Sequence, residues 1–211
     1  MLTSQSNDFS VEHVAARVHG RFLVRRGSGS HTLVGFHGYG QNAGKLMEEL
    51  VAIPGLAAWT LVAVQALHPF YTRTQEVVAN WMTRQDREHA IRDNVDYVSS
   101  VVSQVAPHGK VAFIGFSQGA SMAWRAAAAI ASVAVVALGG DLPPDVRESG
   151  AALPPSLIGR GARDDFYTDE KLNEDLSFLR RSTLVESIVF DGGHEWADEF
   201  RRAAGDFLSR I

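Results

Sequence analysis

Cysteine is absent from this chain of 211 residues. Without thiols the protein can form no disulfide, no thiolate nucleophile and no cysteine-based zinc site. The absence leaves the redox compartment open, and serine, histidine and carboxylate side chains remain as the candidates for chemistry.

Long hydrophobic runs and a strong charge of one sign are also lacking. The longest apolar-rich run, Ala126 to Leu138, contains Ser132 and is too short to span a bilayer. The chain carries 20 Lys and Arg against 24 Asp and Glu without a basic stripe, so nucleic acid is not an expected partner. The N-terminal segment Met1 to Asp8 lacks the cationic and apolar regions of a secretory signal. These absences predict a soluble cytoplasmic protein with no integral membrane association.

Short apolar runs alternate along the chain with longer helical patterns. Hydrophobic residues make up 45% of the sequence, which predicts one domain, residues 1–211, with a substantial core. The central runs lack polar alternation, as is typical of strands buried on both faces of a parallel sheet. The alternation predicts an α/β fold with a mostly parallel central sheet flanked by helices. Strands are predicted at residues 21–25, 32–36, 60–64, 111–115, 133–138, 156–159 and 184–189, and helices at 43–50, 87–105, 117–131, 169–179 and 196–208.

The segment Gly115-Phe116-Ser117-Gln118-Gly119 lies between a predicted strand and an alanine-rich predicted helix. A serine on a sharp strand-to-helix turn projects its hydroxyl above the sheet, and glycines two residues away let the chain pass close to itself. The next amide, at the helix N-terminus, is a suitable donor for a developing oxyanion. We therefore predict that Ser117 is a catalytic nucleophile; the alternative is a serine that caps the helix.

A second glycine-rich segment, His37 to Gln41, follows the predicted strand at residues 32–36. It has neither the Gly-x-Gly-x-x-Gly pattern nor the Walker lysine of phosphate-binding loops. From the residues alone, a plain glycine-rich exit from a strand remains open. His37 is interpreted as a structural side chain that holds this loop rather than as a catalytic base.

A serine nucleophile on such a turn is followed in chain order by an acid and then by a histidine. Of the eight histidines only His194 lies late in the chain, in a glycine-rich loop after the last predicted strand. A loop of this kind lets a general base face the nucleophile, so His194 is the predicted base; a helix-capping histidine is the alternative. The candidates for the acid that orients the imidazole are Asp164, Asp165 and Asp141, which all follow predicted strands.

Four segments therefore occur in order: His37-Gly38-Tyr39-Gly40, Gly115-Phe116-Ser117-Gln118-Gly119, Gly161-Ala162-Arg163-Asp164 and Gly192-Gly193-His194-Glu195-Trp196. Together they resemble the phospholipase/carboxylesterase family of α/β-hydrolases, which includes the acyl-protein thioesterases. The resemblance implies an α/β-hydrolase fold, and the short stretch from Leu138 to Pro155 predicts a minimal core without a large cap domain. It also implies that the backbone amides of Tyr39 and Gln118 form the oxyanion hole, and its Gly-x-x-Asp pattern selects Asp164 as the acid.

Two departures from the family pattern limit the predicted function. Gln41 and Asn42 stand where the family often has an acid, and Asp165 stands where a proline often follows the catalytic aspartate. The prediction is therefore a serine hydrolase that cleaves esters of small or medium acyl groups, with no metal and no organic cofactor. An acyl thioesterase or lysophospholipase would use the same triad. A perhydrolase or haloperoxidase of this fold, or a ligand-binding protein without catalysis, are the remaining alternatives.

Aromatic residues near the predicted active-face loops are candidates for the substrate pocket, with core packing as the alternative for each. The candidates are Phe70, Trp81, Phe166 and Trp196, the first two in segments 67–71 and 81–82 that are predicted to be irregular. Arg73, Arg84 and Arg163 are interpreted as solvated surface charges rather than as contacts to an acidic substrate. The expected partner is a small-molecule ester or thioester, and monomer and homodimer both remain open.

Overall fold

The computed structural model describes residues 10–211 of the chain. The segment Met1 to Asp8, for which the sequence predicts no secretory signal, lies outside the described residues. The strands are β1 (Phe22–Arg25), β2 (His31–Phe36), β3 (Thr60–Val64), β4 (His68–Tyr71), β5 (Val77–Asn80), β6 (Lys110–Phe116), β7 (Ala134–Leu138), β8 (Ser156–Gly161) and β9 (Val185–Phe190). The helices are α1 (Ala43–Val51), α2 (Arg87–Val105), α3 (Gln118–Ala129), α4 (Pro144–Glu148), α5 (Asp169–Leu179) and α6 (Asp198–Leu208).

Seven of the strands form one sheet in the order β1-β3-β2-β6-β7-β8-β9. β1 runs antiparallel to β3, and every other neighbouring pair in this sheet is parallel. The sequence predicts each of these strands, with ends that differ from the observed ones by at most two residues. The prediction of an α/β fold with a mostly parallel sheet flanked by helices is confirmed.

The sheet separates two apolar layers, because side chains along a strand alternate between its faces. One layer packs α2, α3 and α5 against the face that presents Val34 and Val62. The other layer packs α1 and α6 against the face that presents Leu33 and Leu61. Every residue of β3 and β7 is buried, which explains why these strands have uninterrupted apolar sequences.

The parallel strands end at one edge of the sheet, where the loops with the candidate residues begin. Phe36 of β2 pairs with Gly115 of β6, and Phe116 pairs with Leu138 of β7. Ligand sites in open parallel sheets form beyond the carboxyl ends of the strands. The strand register therefore gathers the loops that follow β2, β6, β7, β8 and β9 around one place.

A small antiparallel hairpin outside the main sheet corrects one prediction. Residues 67–71 are predicted to be irregular, whereas the structure pairs β4 with β5 and joins His68 to Asn80. Three residues of β4 are exposed, so the strand lacks the apolar run by which buried strands are recognised in a sequence. A bridge between Gln41 and Ala79 attaches the hairpin to the loop after β2.

The connection between β7 and β8 contains a short helix, whereas the sequence predicts no helix there. α4 has five residues and begins at Pro144, a first-turn position where proline loses no intrahelical hydrogen bond. The connection contains no larger insertion, in agreement with the predicted minimal core without a large cap. Among residues 10–211, no helix combines the length and apolar character needed to cross a bilayer.

Candidate active site

Ser117 lies at the turn between β6 and α3 in a backbone conformation that residues with a side chain rarely adopt. Its φ is 55° and its ψ is −121°. The turn is closely packed: a Cβ atom at Gly115 would lie 2.0 Å from the carbonyl oxygen of Gly119, and one at Gly119 would lie 2.0 Å from that of Phe36. Both flanking positions therefore require glycine, as the motif predicts.

The hydroxyl of Ser117 does not cap the helix that it precedes. Ser117 occupies the N-cap position of α3, but its side chain makes no capping hydrogen bond. Its backbone amide donates to the carbonyl of Leu138 over 2.8 Å, which fixes the turn against the end of β7. The capping alternative is therefore wrong, and Ser117 borders a cleft at the edge of the sheet.

His194 and Asp164 form a hydrogen-bonded pair at the same edge. Nδ1 of His194 lies 2.8 Å from Oδ2 of Asp164, whose side chain is 1% exposed. The other carboxylate oxygen of Asp164 accepts from the backbone amides of Phe166 and Tyr167, each over 2.9 Å. The carboxylate is thus held in one orientation, and with Nδ1 engaged, His194 has Nε2 available for proton transfer.

The other two candidate acids do not reach this histidine. Asp165 and Asp141 are both exposed, whereas Asp164 is buried against His194. The geometry selects Asp164.

A pair of glycines after β7 brings the histidine close to the serine. A Cβ atom at Gly139, whose φ is +61°, would lie 3.1 Å from the His194 ring, and one at Gly140 would lie 2.3 Å from the carbonyl oxygen of Ser117. The ring of Phe116 stacks against that of His194 with centroids 4.8 Å apart. Among residues 10–211 the Ser117 hydroxyl is not hydrogen bonded to His194, a contact that in many hydrolases tightens only with substrate.

Sequence reasoning missed the role of these two glycines. The only signal for them is their position at the end of an apolar run, which a plain turn also satisfies. The contacts that require glycine come from residues distant in sequence, and local patterns carry no information about those.

Two backbone amides near Ser117 have no acceptor among residues 10–211. In the loop after β2, Gly38 N donates to Gln41 Oε1, and Gly40 N donates to the carbonyl of Ala79. The amide of Tyr39, between them, donates to no acceptor within the described residues. Gln118 is the first residue of α3, so its amide has no intrahelical partner.

The loop that carries Tyr39 lies directly against the nucleophile. A Cβ atom at Gly38 would lie 3.4 Å from Cβ of Ser117. The free amides of Tyr39 and Gln118 thus belong to two segments that meet at Ser117, and a developing oxyanion there needs two such donors.

His37 is a buried structural side chain of the same loop. Its Nδ1 lies 2.7 Å from the carbonyl oxygen of Gly38, and its Nε2 accepts from the amide of Ala66 over 3.1 Å. Burial lowers the pKa of His37 below its usual value, which favours the neutral ring that these two bonds require. The ring has no free nitrogen for catalysis, in agreement with its interpretation from the sequence.

Trp81 is predicted to line the substrate pocket, and the structure corrects this. Its side chain is fully buried, its Nε1 donates to the carbonyl of His37 over 2.8 Å, and its backbone amide donates to Gln118 Oε1 over 2.9 Å. Gln118 Nε2 donates in turn to the carbonyl of Met82. Trp81 therefore connects the loop after β2 with the start of α3 from inside the protein.

The other predicted pocket residues divide by location. Phe166 is 72% exposed and borders the cleft of Ser117, with its ring 5.0 Å from that of His194. Phe70 stacks on Tyr39 at 5.7 Å, beside the oxyanion loop but outside the residues that border the cleft. Trp196 packs between Phe116 and Phe200, away from the cleft-lining residues.

The cleft beside Ser117 has a volume of about 290 Å³ and an unexpectedly polar wall. Arg87, Lys171, Asp141 and Ser121 border it, and the sequence indicated none of them as substrate contacts. The three arginines considered from the sequence do not border the cleft: Arg73 and Arg84 are exposed elsewhere, and Arg163 pairs with Asp191. Among residues 10–211, no three His, Asp or Glu side chains are placed to hold a metal ion.

A buried carboxylate, that of Asp175, connects two of the loops around the cleft through hydrogen bonds. Asp175 of α5 accepts from the hydroxyl of Tyr167 over 2.7 Å and from the amide of Leu142 over 3.0 Å, and it pairs with Arg147. Burial raises the pKa of Asp175 to about 6. Because the amide of Tyr167 also donates to Asp164, Asp175 links the acid-bearing loop to the loop after β7.

Comparison with known proteins agrees with the fold. A family model described as "Serine hydrolase (FSH1)" matches residues 30–195. Esterase PE8 superposes with a TM-score of 0.76 at 21% identity, covering 92% of this chain and 100% of its own. Zea mays acyl-protein thioesterase 2 gives 0.71 at 19% identity over 91% and 99% of the two chains, and the Bacillus cereus carboxylesterase gives 0.73 at 15% over 90% and 94%. Curated protein sequences gave no significant match.

Proposed function

The chain belongs to the FSH1 family of serine hydrolases, and we propose that it cleaves carboxylic esters of small or medium acyl groups through an acyl-enzyme intermediate. In this proposal Ser117 is the nucleophile, His194 the general base and Asp164 the acid that orients it. The amides of Tyr39 and Gln118 form the oxyanion hole.

In the first half of the reaction the serine oxygen attacks the ester carbonyl carbon. Nε2 of His194 takes the proton of the Ser117 hydroxyl, and Asp164 stabilises the resulting imidazolium through Nδ1. The carbonyl oxygen becomes an oxyanion that accepts from the amides of Tyr39 and Gln118. The bond to the alcohol oxygen then breaks, and the alcohol leaves with the proton from His194.

In the second half water releases the acyl group. His194 takes a proton from water, the water oxygen attacks the acyl carbon, and the same amides stabilise the second oxyanion. The bond to Ser117 breaks, the carboxylic acid leaves, and Ser117 recovers its proton from His194. Every step uses groups of the chain and water, so the proposal requires no metal and no organic cofactor.

The hydrogen-bonded pair of His194 and Asp164 beside the turn of Ser117 is the observation that carries this proposal. A strained serine alone is compatible with a structural role, and a histidine–aspartate pair alone occurs in many proteins. Their arrangement at one sheet edge, next to two amides that have no acceptor in the described part of the chain, is what acyl transfer requires.

The volume of the cleft supports short substrates. At about 290 Å³ it is roughly twice the cavity of about 150 Å³ that accommodates a benzene ring. An ester with a short acyl chain fills such a space, whereas a long chain would extend into solvent. Hydrolysis of thioesters would use the same residues, and the same assay compares the two substrate classes.

Turnover of p-nitrophenyl esters from acetyl to dodecanoyl tests the proposal. We expect activity on the short esters that declines with acyl length, and a loss of about 10³-fold or more in Ser117→Ala. Ser121→Ala is the matched control, because Ser121 borders the same cleft while its hydroxyl bonds the carbonyl of Asp141, and its activity should stay close to wild type. Activity that survives in Ser117→Ala would overturn the proposal.

A further inference from the structure

Two cationic side chains, which belong to two different helices, border the cleft of Ser117. Arg87 is the first residue of α2, and Lys171 lies in the first turn of α5. Within residues 10–211 neither lies within ion-pair distance of a carboxylate. Lys171 donates to the carbonyl of Phe166 over 2.8 Å, which holds its ammonium group at the rim of the cleft.

The nearby carboxylates do not neutralise this pair of cations. Both oxygens of Asp145 accept from Arg125, each over 2.7 Å, and this pairing is the main reason that the pKa of Asp145 is lowered, with a smaller contribution from the nearby guanidinium of Arg87. Asp141 borders the cleft, is exposed and offsets one of the two positive charges. Among the residues that border the cleft, the two cations Arg87 and Lys171 therefore outnumber the single carboxylate, Asp141.

The other arginines near this edge of the sheet are engaged with acids. Arg147 pairs with Asp175, and Arg160 pairs with Asp169. Arg87 and Lys171 differ from these arginines, because in the described part of the chain neither has a carboxylate partner that would explain its placement at the cleft. A cation that borders a nucleophile's cleft without such a partner is available to an anionic substrate group.

We propose that the ester cleaved by this protein carries a carboxylate, which Arg87 and Lys171 bind while the ester carbonyl faces Tyr39 and Gln118. The proposal rests on the function proposed above and specifies its substrate class. The carboxylate can belong to the acyl half, as in a monoester of a dicarboxylic acid, or to the alcohol half. The apolar part of the wall is small, with Met82 and Phe166, which agrees with a short and charged substrate.

Matched pairs of esters test the proposal in the wild-type protein. Monoethyl glutarate is compared with ethyl pentanoate for a carboxylate in the acyl half, and 4-acetoxybenzoate with its methyl ester for one in the leaving group. Product acids are followed by proton release. We expect kcat/KM to be about tenfold higher for the charged member of at least one pair, and that advantage to shrink as sodium chloride is added.

Charge variants connect any preference to the named residues. Arg87→Gln and Lys171→Gln should each lower the ratio of charged to neutral kcat/KM about tenfold, mainly through KM. Asp141→Asn should raise the same ratio, which a merely structural effect would not do. Arg84→Gln is the control, because Arg84 is exposed three residues before Arg87 and does not border the cleft.

The outcomes separate the two proposals. One result would overturn the carboxylate proposal and leave the esterase proposal intact. In that result the neutral esters are hydrolysed at the same rate as the charged ones, and the ratio of charged to neutral kcat/KM is unchanged in Arg87→Gln, Lys171→Gln and Asp141→Asn. Failure to hydrolyse any ester, charged or neutral, would overturn the esterase proposal itself.

Discussion

Ser117 combines a strained backbone with a hydroxyl that caps nothing. A positive φ at a residue with a side chain costs on the order of 1–3 kcal/mol and persists only where the surroundings enforce it. Here the positive φ of Ser117 is enforced by the close packing of Gly115 and Gly119, which leaves no room for a Cβ atom at either position. Such strain is expected where a hydroxyl must stand clear of its own helix to reach a substrate.

The burial of one aspartate and the exposure of its neighbour give the first prediction. Asp164→Asn should lower kcat by about 10³–10⁴-fold, because an amide no longer stabilises the imidazolium and can impose the wrong tautomer on His194. Asp165→Asn is the matched control and should retain nearly full activity, since Asp165 is exposed and does not contact the imidazole. Equal losses in the two variants would contradict the assignment of Asp164.

The indole of Trp81 gives a second prediction at the same scale. Trp81→Phe removes the hydrogen bond to His37 and leaves a buried carbonyl without its donor, at a cost of about 1–3 kcal/mol in the free energy of unfolding. Loosening of the oxyanion loop should lower kcat more than it changes KM.

Trp124→Phe is the matched control for this change. Trp124 is equally buried, but its Nε1 has no hydrogen-bond partner within the described residues. Both substitutions lose the same volume, so urea unfolding and ester kinetics of the two variants isolate the hydrogen bond. An equal or greater effect of Trp124→Phe on kcat would contradict the role given to Trp81.

These residues also mark how far the sequence predicts the site. Ser117 and His194 can be predicted from local motifs, because a strand-to-helix turn and a late glycine-rich loop are recognisable from consecutive residues. Asp164 follows only when the family's Gly-x-x-Asp pattern is added, since its neighbour Asp165 has the same chemistry. The sequence does not decide between pocket and core for Trp81, because an aromatic beside a loop has the same local pattern in both places.

Among the secondary-structure elements, full burial makes a strand easy to recognise in the sequence. β3 and β7 are buried throughout and appear as uninterrupted apolar runs. β4 is mostly exposed and is held by its pairing with β5, so its sequence carries no comparable signal. The same limit applies to Asp175, because its partners Leu142 and Arg147 lie 33 and 28 residues away from it in the chain.

The linkage of α5 to two loops through Asp175 predicts a specific pH dependence. Burial raises the pKa of this carboxyl from 3.8 to about 6 in the folded protein. Between these values the folded state binds more protons than the unfolded state, so the contribution of Asp175 to stability is largest below about pH 4 and declines as the pH rises through 6. The groups that face it are Tyr167, Asp141 and Arg147.

The stability difference between wild type and Asp175→Asn isolates this contribution, because the other titrating groups are common to both. The wild-type advantage in free energy of unfolding should fall by on the order of 3 kcal/mol between pH 4 and pH 7. Glu174→Gln, at an exposed position on the same helix, should show a difference that is nearly independent of pH. An advantage of wild type over Asp175→Asn that grows with pH would contradict the account.

For the molecule as a whole, the parallel register converts five separate loops into one site. The sequence predicts this convergence, because carboxyl ends of parallel strands share an edge, and the order of nucleophile, acid and histidine along the chain fits it. The charge of the cleft was not predictable, since Arg87 and Lys171 are distant in sequence and meet only after α2 and α5 pack on the same face of the sheet.

In the proposed reaction one residue of the intact protein, Ser117, forms the covalent intermediate. Mass spectrometry of the whole chain after reaction with a fluorophosphonate, followed by peptide mapping, tests it most directly. We expect a single adduct per chain, located on Ser117, and none in Ser117→Ala under the same conditions. An adduct on another residue, or undiminished labelling of Ser117→Ala, would contradict it.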